Sequence, residues 1–164
     1  VLRCGTFSTH TVVHAKAAIK MPKEMPLEKA CLIACGVVTG VGATFNTSPV
    51  FPGATVAVIG CGGVGLSVIQ GAKLAHARKI IGVDLNPTKL QWAKDFGATD
   101  VVNPRDCDAV AKVREIADGV GVDFAYEAVG LPICIEQAVK MLAYAGTATH
   151  IGLPADNASV NLDL

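Results

Sequence analysis

The glycine-rich stretch at residues 60–65, Gly-Cys-Gly-Gly-Val-Gly, has residue types and spacing suited to binding phosphate. It follows an apolar run at residues 55–59 that is typical of a buried parallel strand, and it opens onto a helical stretch. In such a unit, Gly60 permits a tight turn, Gly62 lets the backbone approach a pyrophosphate, and Gly65 lets the helix pack close to the strand. The free N–H groups at the helix start favour anions. The stretch therefore predicts a phosphate-binding loop.

A carboxylate follows this loop at the spacing of a dinucleotide site. A second apolar strand, residues 79–83, ends on Asp84, which lies 19 residues after Gly65; the ribose-binding acid is expected about 20 residues on. No arginine follows Asp84 to receive the 2′-phosphate of NADP, so the sequence favours NAD. Two other interpretations stay open: small-residue packing in an ordinary parallel sheet, and an Asp84 that only caps the next helix.

Composition excludes several classes of protein. The 164 residues include 14 Lys+Arg and 14 Asp+Glu, so no net charge favours nucleic acid. No apolar run approaches the roughly 20 residues of a membrane span, and no secretion signal is evident. The six cysteines form no CxxC pair. We therefore expect a cytoplasmic protein with reduced thiols and with neither nucleic-acid nor membrane partners.

The remaining pattern predicts an α/β fold with a doubly wound parallel (Rossmann) sheet. Apolar runs of strand length alternate with helical stretches, as in βαβ units. The predicted strands are residues 55–59, 79–83, 100–102, 122–127 and 147–151, and the predicted helices between them are residues 66–75, 87–96, 106–117 and 131–143.

The N-terminal third has a different character. Residues 6–14 have strand character, and residues 21–26 form a proline-punctuated linker, the best candidate boundary in the chain. Beyond it we predict one helix that breaks at Gly36 and a second at residues 37–46. The chain starts without a methionine, which suggests a fragment of a longer polypeptide.

Four segments carry a family resemblance. These segments resemble the cofactor domain of zinc-containing medium-chain alcohol dehydrogenases, most closely the classical and formaldehyde-oxidising branch; they are residues 28–36 with the following Val-Thr-Gly, the glycine loop, residues 80–84, and residues 97–104. The resemblance covers nearly the whole chain. It implies that residues 1–25 end a truncated GroES-like catalytic domain and that residues 26–164 are the NAD-binding domain, incomplete at its C-terminus. The intact protein would be a homo-oligomer that oxidises a small alcohol or aldehyde.

The resemblance also implies zinc in the intact protein. Cys35 falls at the position of the one zinc ligand that the cofactor domain contributes, while a cysteine and a histidine come from the catalytic domain. A catalytic zinc needs three protein ligands and an open position, so Cys35 cannot hold the metal by itself. From the residues alone, a cysteine in the apolar setting of Cys35 is more often a buried core thiol than a metal ligand.

Further cofactor contacts transfer with the resemblance. Gly63 belongs to the phosphate loop; Thr39, Val64 and Ile151 would line the nicotinamide face; Lys89 would assist Asp84 at the adenosine ribose. Leu85 and Pro104 would enclose the adenine. Each has a plain structural alternative, since apolar residues of this kind occur in any sheet core and Lys89 could be a solvated helix residue.

Some residues stand outside this pattern. Cys61 replaces a more usual aliphatic residue; it is either a reactive thiol, because a helix N-terminus lowers a thiol pKa, or a small hydrophobic residue. The four histidines are isolated from one another, which suggests surface or packing roles; they are His10, His14, His76 and His150.

Other functions fit part of the sequence. A methyltransferase also uses a glycine loop, but it usually has an acid before the glycines, where this chain has Val58 and Ile59. A non-catalytic NAD-binding module and a metal-free quinone reductase of the same superfamily are the closer alternatives, and Cys35 argues against the second.

Overall fold

The computed structural model describes residues 5–162 and divides the chain into two compact units, one ending at Cys31 and the other beginning at Leu32. The described part of the first unit, residues 5–31, is largely irregular, with a 3-10 turn, Ala15–Ala17, and a short helix α1, Leu27–Ala30. The strand predicted at residues 6–14 is wrong, because no described strand pairs with this segment. Strand propensity forms a strand only where a neighbour satisfies the backbone.

The second unit contains a five-stranded sheet in the order β3-β2-β1-β4-β5, with every neighbouring pair parallel. This confirms the doubly wound α/β fold. The strands are β1 (Thr55–Ile59), β2 (Lys79–Val83), β3 (Asp100–Val102), β4 (Val122–Glu127) and β5 (Leu142–His150). The first four have the predicted bounds.

Helices cover both faces of the sheet. Val56 and Val58 pack with helices α3 and α4, whereas Ala57 and Ile59 pack with α5 and α6. This alternation explains why β1 is apolar throughout: a strand covered on both faces has no side for polar residues. The helices are α2 (Val38–Gly42), α3 (Gly63–Leu74), α4 (Pro87–Phe96), α5 (Ala109–Ile116) and α6 (Pro132–Lys140).

The fifth strand begins five residues before its predicted start. Residues 142 and 143 are leucine and alanine, which favour a helix, so the sequence pattern assigned these two residues to the preceding helix. In the structure Leu142 pairs with Val122, and Ala145 takes a φ of +63° at a register shift in the ladder. Pairing with β4 thus overrides the local helix preference.

Gly36 does not break the N-terminal helix as predicted. Wide π-type turns at Ile33–Val37 and Ala43–Thr47 flank α2, so the helical path continues through the glycine. The resulting helix, Leu27–Thr47, has 21 residues and contains an 18-residue window with a mean hydropathy of 1.5, so by length and composition alone it could cross a membrane. This corrects the expectation that no apolar run is long enough, although a core helix of a soluble protein passes the same test.

One side of this helix is packed against the sheet domain. A Cβ on Gly40 would overlap the Val64 carbonyl and the Ser67 side chain, and a Cβ on Gly71 would overlap the Thr44 hydroxyl. Glycines at such close approaches allow α2 and α3 to lie nearly backbone to backbone. The small residues of this segment are therefore explained by packing between helices.

Candidate functional site

The strand register brings the loops of interest to one edge of the sheet. Ile59, the last residue of β1, lies beside Val83 of β2 and Glu127 of β4, and Glu127 lies beside His150 of β5. All four strands end here because they are parallel and in register. The sheet order reverses between β1 and β4, and ligands of open α/β sheets bind in the crevice at such a switch point.

The glycine loop follows β1 at this edge. Gly60 has a φ of +93°, and a Cβ on Gly65 would overlap the Gly60 carbonyl oxygen, so these glycines make the turn and the close helix contact that the sequence predicts. A Cβ on Gly62 or Gly63 would instead meet no atom within 4 Å. Above these two residues the backbone is open to a ligand.

The first turn of α3 is free to bind an anion. Gly62 is its N-cap residue and supplies no side-chain cap. The first N–H groups of a helix have no partner within the helix, and they carry the positive end of its dipole. This uncapped end and the open glycines fit a pyrophosphate.

Asp84 lies beside this loop and is held by two backbone donors. The N–H of Cys61 donates to its Oδ2 over 2.9 Å, and the N–H of Asn86 donates to its Oδ1 over 2.8 Å. The cap of α4 is Asn86, whose side chain accepts from the N–H of Thr88. The interpretation of Asp84 as a simple helix cap is therefore wrong, because another residue has that role.

A cavity of about 390 Å³ opens over the loop and Asp84. Its walls are mainly apolar, with Asp84 and Lys89 supplying charge. An apolar cavity with a few convergent polar groups is the usual form of a small-molecule site. Six of the residues singled out from the sequence line it: Gly60, Gly62, Asp84, Leu85, Lys89 and Pro104.

The other predicted site residues lie outside this cavity. Gly63 and Val64 belong to the first turn of α3. Thr39 is an exposed residue of α2, next to Gly40, which lies close to the Val64 carbonyl. Ile151 directly follows β5 and donates its N–H to the Glu127 carbonyl over 2.8 Å. Cys35 is an exposed thiol, not a buried core residue. Its neighbour Gly36 lies close to the backbone of Gly63.

Sequence reasoning missed the opposite wall of the cavity. That wall is the loop after β4 and the start of α6, with the lining residues Ala128, Val129, Leu131, Ile133, Cys134 and Gln137. The signal was present in the predicted doubly wound fold: such a sheet has a crevice at its switch point, and the crevice has two sides, the second of which is formed by the loop after the other neighbour of β1.

Two cysteines near the site lie in environments that raise the pKa of their thiols. Burial, and secondarily the charge of Asp84, raises the pKa of the Cys61 thiol to about 12. Cys61 is fully buried, so of the two interpretations the small hydrophobic residue is right and the reactive thiol is wrong. Burial, and then the charge of Glu127, also raises the pKa of Cys134.

Comparison with known proteins decides the family. The sequence profile described as zinc-binding dehydrogenase matches residues 63–164, more than half of the chain. The chain belongs to the zinc-binding dehydrogenase family. This confirms the resemblance seen in the glycine loop and the segments around it.

Relatives of this family match both sequence and fold. S-(hydroxymethyl)glutathione dehydrogenase of Saccharomyces cerevisiae is 50% identical over 132 residues, which are 77% of this chain and 34% of the yeast protein. The structure of benzyl alcohol dehydrogenase from Acinetobacter calcoaceticus matches 89% of this chain and 40% of its own, with 37% identity and a TM-score of 0.86.

A third relative extends the same picture. The alcohol dehydrogenase zinc-binding domain protein from Burkholderia ambifaria matches 88% of this chain and 39% of its own, with 40% identity and a TM-score of 0.85. The chain therefore spans between a third and two fifths of the length of these relatives.

Proposed function

We propose that this chain binds NAD in the cavity at the switch point of the sheet. The observation that carries the proposal is the open, uncapped glycine loop at the start of α3, which faces the same cavity as Asp84. A phosphate-binding helix end and a ribose-binding carboxylate within one cleft are the two recognition elements of a dinucleotide site.

The positions of the lining residues suggest how the cofactor lies. The pyrophosphate would bind at Gly62 and Gly63, and the adenosine ribose would bind at Asp84 with Lys89 nearby. The adenine would enter the apolar part of the cavity, whose side chains are Leu85, Pro104, Val129, Leu131 and Ile133. The nicotinamide end would lie beyond the cavity, towards Thr39, Val64 and Ile151. These residues do not line the cavity, yet Val64 belongs to the first turn of α3 and Thr39 is next to Gly40, which lies against Val64.

For the longer protein we propose a zinc-dependent alcohol dehydrogenase that transfers a hydride from an alcohol to NAD. In it, residues 1–25 would close a preceding GroES-like domain and residues 26–164 would form the cofactor domain. Membership in the zinc-binding dehydrogenase family supports this. The family also supports a small alcohol or aldehyde substrate and a homo-oligomeric enzyme. A cytoplasmic location agrees with the free thiols of the five described cysteines.

Zinc does not fit the described residues by themselves. Residues 5–162 contain no group of three His, Cys, Asp or Glu side chains placed to hold a metal ion. We propose that Cys35 supplies one ligand in the longer protein, since its exposed thiol lies next to Gly36, close to the phosphate loop. A thiolate at this position suits zinc once other residues complete the site.

The proposal predicts separate behaviour for cofactor and metal in the 164-residue chain. Calorimetric titration should show one NAD bound per chain. Metal analysis after dialysis should show no stoichiometric zinc, because Cys35 is the only ligand that the family resemblance assigns to this chain. An alcohol and NAD turnover assay should give no rate above a buffer blank. Absence of NAD binding would contradict the proposed cofactor site, and one tightly held zinc or measurable turnover would contradict the assignment of the remaining ligands to another segment.

A further inference from the structure

Glu127, the last residue of β4, is a buried carboxylate with an unusual set of partners. Only 1% of the residue is exposed. Its Oε1 accepts from the N–H groups of Val129 and Gly130, over 2.6 and 2.7 Å. Its Oε2 lies 2.6 Å from Nδ1 of His150. Burying a carboxylate is costly unless it is paired and hydrogen-bonded, and this one has two backbone donors and the ring nitrogen of His150 as partners.

The two backbone donors belong to the loop after β4, which forms the wall of the cavity that sequence reasoning did not predict. Ala128, Val129 and Leu131 all line the cavity. Val129 also reaches across to the glycine loop, since a Cβ on Gly60 would lie 2.6 Å from its Cγ2. The Glu127 side chain thus sets how far this wall stands from the phosphate loop.

Glu127 also fixes the segment that follows β5. Its carbonyl oxygen accepts from the N–H groups of Ile151 and Gly152, over 2.8 and 3.1 Å. A Cβ on Gly152 would overlap the backbone of Gly130, so the segments after β4 and β5 are in direct backbone contact. His150 adds a side-chain tie, since it lies opposite Glu127 in the strand register.

We infer that Glu127, braced by His150, is a positioning residue that holds the loop after β4 at the spacing the NAD cavity needs. The inference rests on the proposed function. No contact between Glu127 and the cofactor is required: the carboxylate acts through Val129, Gly130 and His150.

Two substitutions at Glu127 separate the effect of side-chain length from the effect of charge. Glu127→Gln keeps the length of the side chain, and its single oxygen can still accept from Val129 and Gly130. Glu127→Asp keeps the charge but is one methylene too short to join the loop to His150. We expect Glu127→Gln to bind NAD within about threefold of the parent and Glu127→Asp to bind about tenfold more weakly, because buried donors lose their acceptor.

Asp123→Ala is the matched control. Asp123 lies on the same strand at the opposite end, where its Oδ2 accepts from the N–H of Thr55 over 2.7 Å. This variant should lose stability without a change in NAD affinity. His150→Val removes the contact with Glu127 and should weaken NAD binding by about threefold, which is a fraction of what one hydrogen bond to a charged group contributes. Affinities come from calorimetry, and circular dichroism confirms folding.

The outcomes distinguish this inference from the proposed function. A parent chain that fails to bind NAD contradicts the proposed function itself. If the parent binds NAD and the folded Glu127→Asp and His150→Val variants bind it with the affinity of the parent, the positioning role is overturned. A Glu127→Gln affinity reduced tenfold also overturns it. Where Glu127→Asp does not fold, an unchanged NAD affinity of folded His150→Val overturns it.

Discussion

Replacing Gly62 with valine is expected to abolish measurable NAD binding and to leave the fold intact. Gly62 is the N-cap of α3 and has a φ of −82°, a value that any residue adopts. A Cβ there would meet no atom of the chain within 4 Å, so the folded protein has room for the valine. The same space is where the pyrophosphate must approach the backbone, and the branched side chain would occupy it. We expect a loss of at least about 100-fold, since both the contacts and the helix-end donors become inaccessible.

Gly65→Ala is the control for this experiment. Its Cβ would overlap the Gly60 carbonyl oxygen, so this smaller substitution should destabilise the fold by about 1–3 kcal/mol, as overpacking does. Calorimetry and thermal unfolding of both variants separate the two roles. Retained NAD affinity in a folded Gly62→Val chain would show that the glycine serves packing and that the cofactor lies elsewhere.

The parent chain is expected to prefer NAD to NADP by on the order of 100-fold or more, which corresponds to at least about 2.7 kcal/mol. Asp84 can accept hydrogen bonds from the ribose hydroxyls, and such bonds to a charged group contribute about 1.5–3 kcal/mol. The 2′-phosphate of NADP would bring up to about two negative charges against it. The backbone N–H groups of Cys61 and Asn86 hold the carboxylate in place, so it cannot easily turn away.

Asp84→Ser should narrow the preference, mainly because repulsion of NADP is relieved. The serine also loses acceptors for Cys61 and Asn86, so some stability should be lost, and the ratio of the two affinities is the quantity to compare. Asp95→Ser is a suitable control, since this exposed α4 carboxylate bonds only to Gln91 among the described side chains and removes the same charge. Equal affinities in the parent, or an unchanged ratio in Asp84→Ser, would exclude Asp84 from the site.

Much of the fold follows from local sequence signals. Asn86, Pro87 and Gly97 mark the ends of α4 through a side-chain cap, a fixed φ and a φ of +123°. Such signals act within a few residues, so they are visible in a single sequence. The segments of β1 and β2 were equally clear, because strands buried on both faces are apolar along most of their length.

Features set by distant partners could not be predicted in this way. The start of β5 depends on its pairing with Val122, which lies 20 residues before Leu142 in the chain. Gly36 looks like a helix end, yet the wide turn there continues the helix towards α2. The contact between Glu127 and His150 was overlooked because a Glu–His contact between neighbouring strands has no signature along the sequence. Only the register brings the two side chains together.

The two walls of the cavity likewise differ in whether the sequence predicts them. Its phosphate side comes from one continuous segment around the glycine loop and Asp84, which the motif describes. Its other wall comes from residues 128–137, about 70 residues later, and carries no motif. Sequence reasoning therefore found one side of the site and left the second to the structure.

The most direct test of the cofactor site is an NMR titration of the isotope-labelled 164-residue chain with NAD. The amide signals of Gly62, Gly63 and Val64 should shift most, since they begin α3, and the signals of Asp84 and Val129 should follow with the same saturation curve. The Asp123 amide, at the opposite end of β4, should stay in place. Saturable shifts centred on Asp123 or on the irregular N-terminal unit, or no shifts at millimolar NAD, would contradict a cofactor site at the switch point of the sheet.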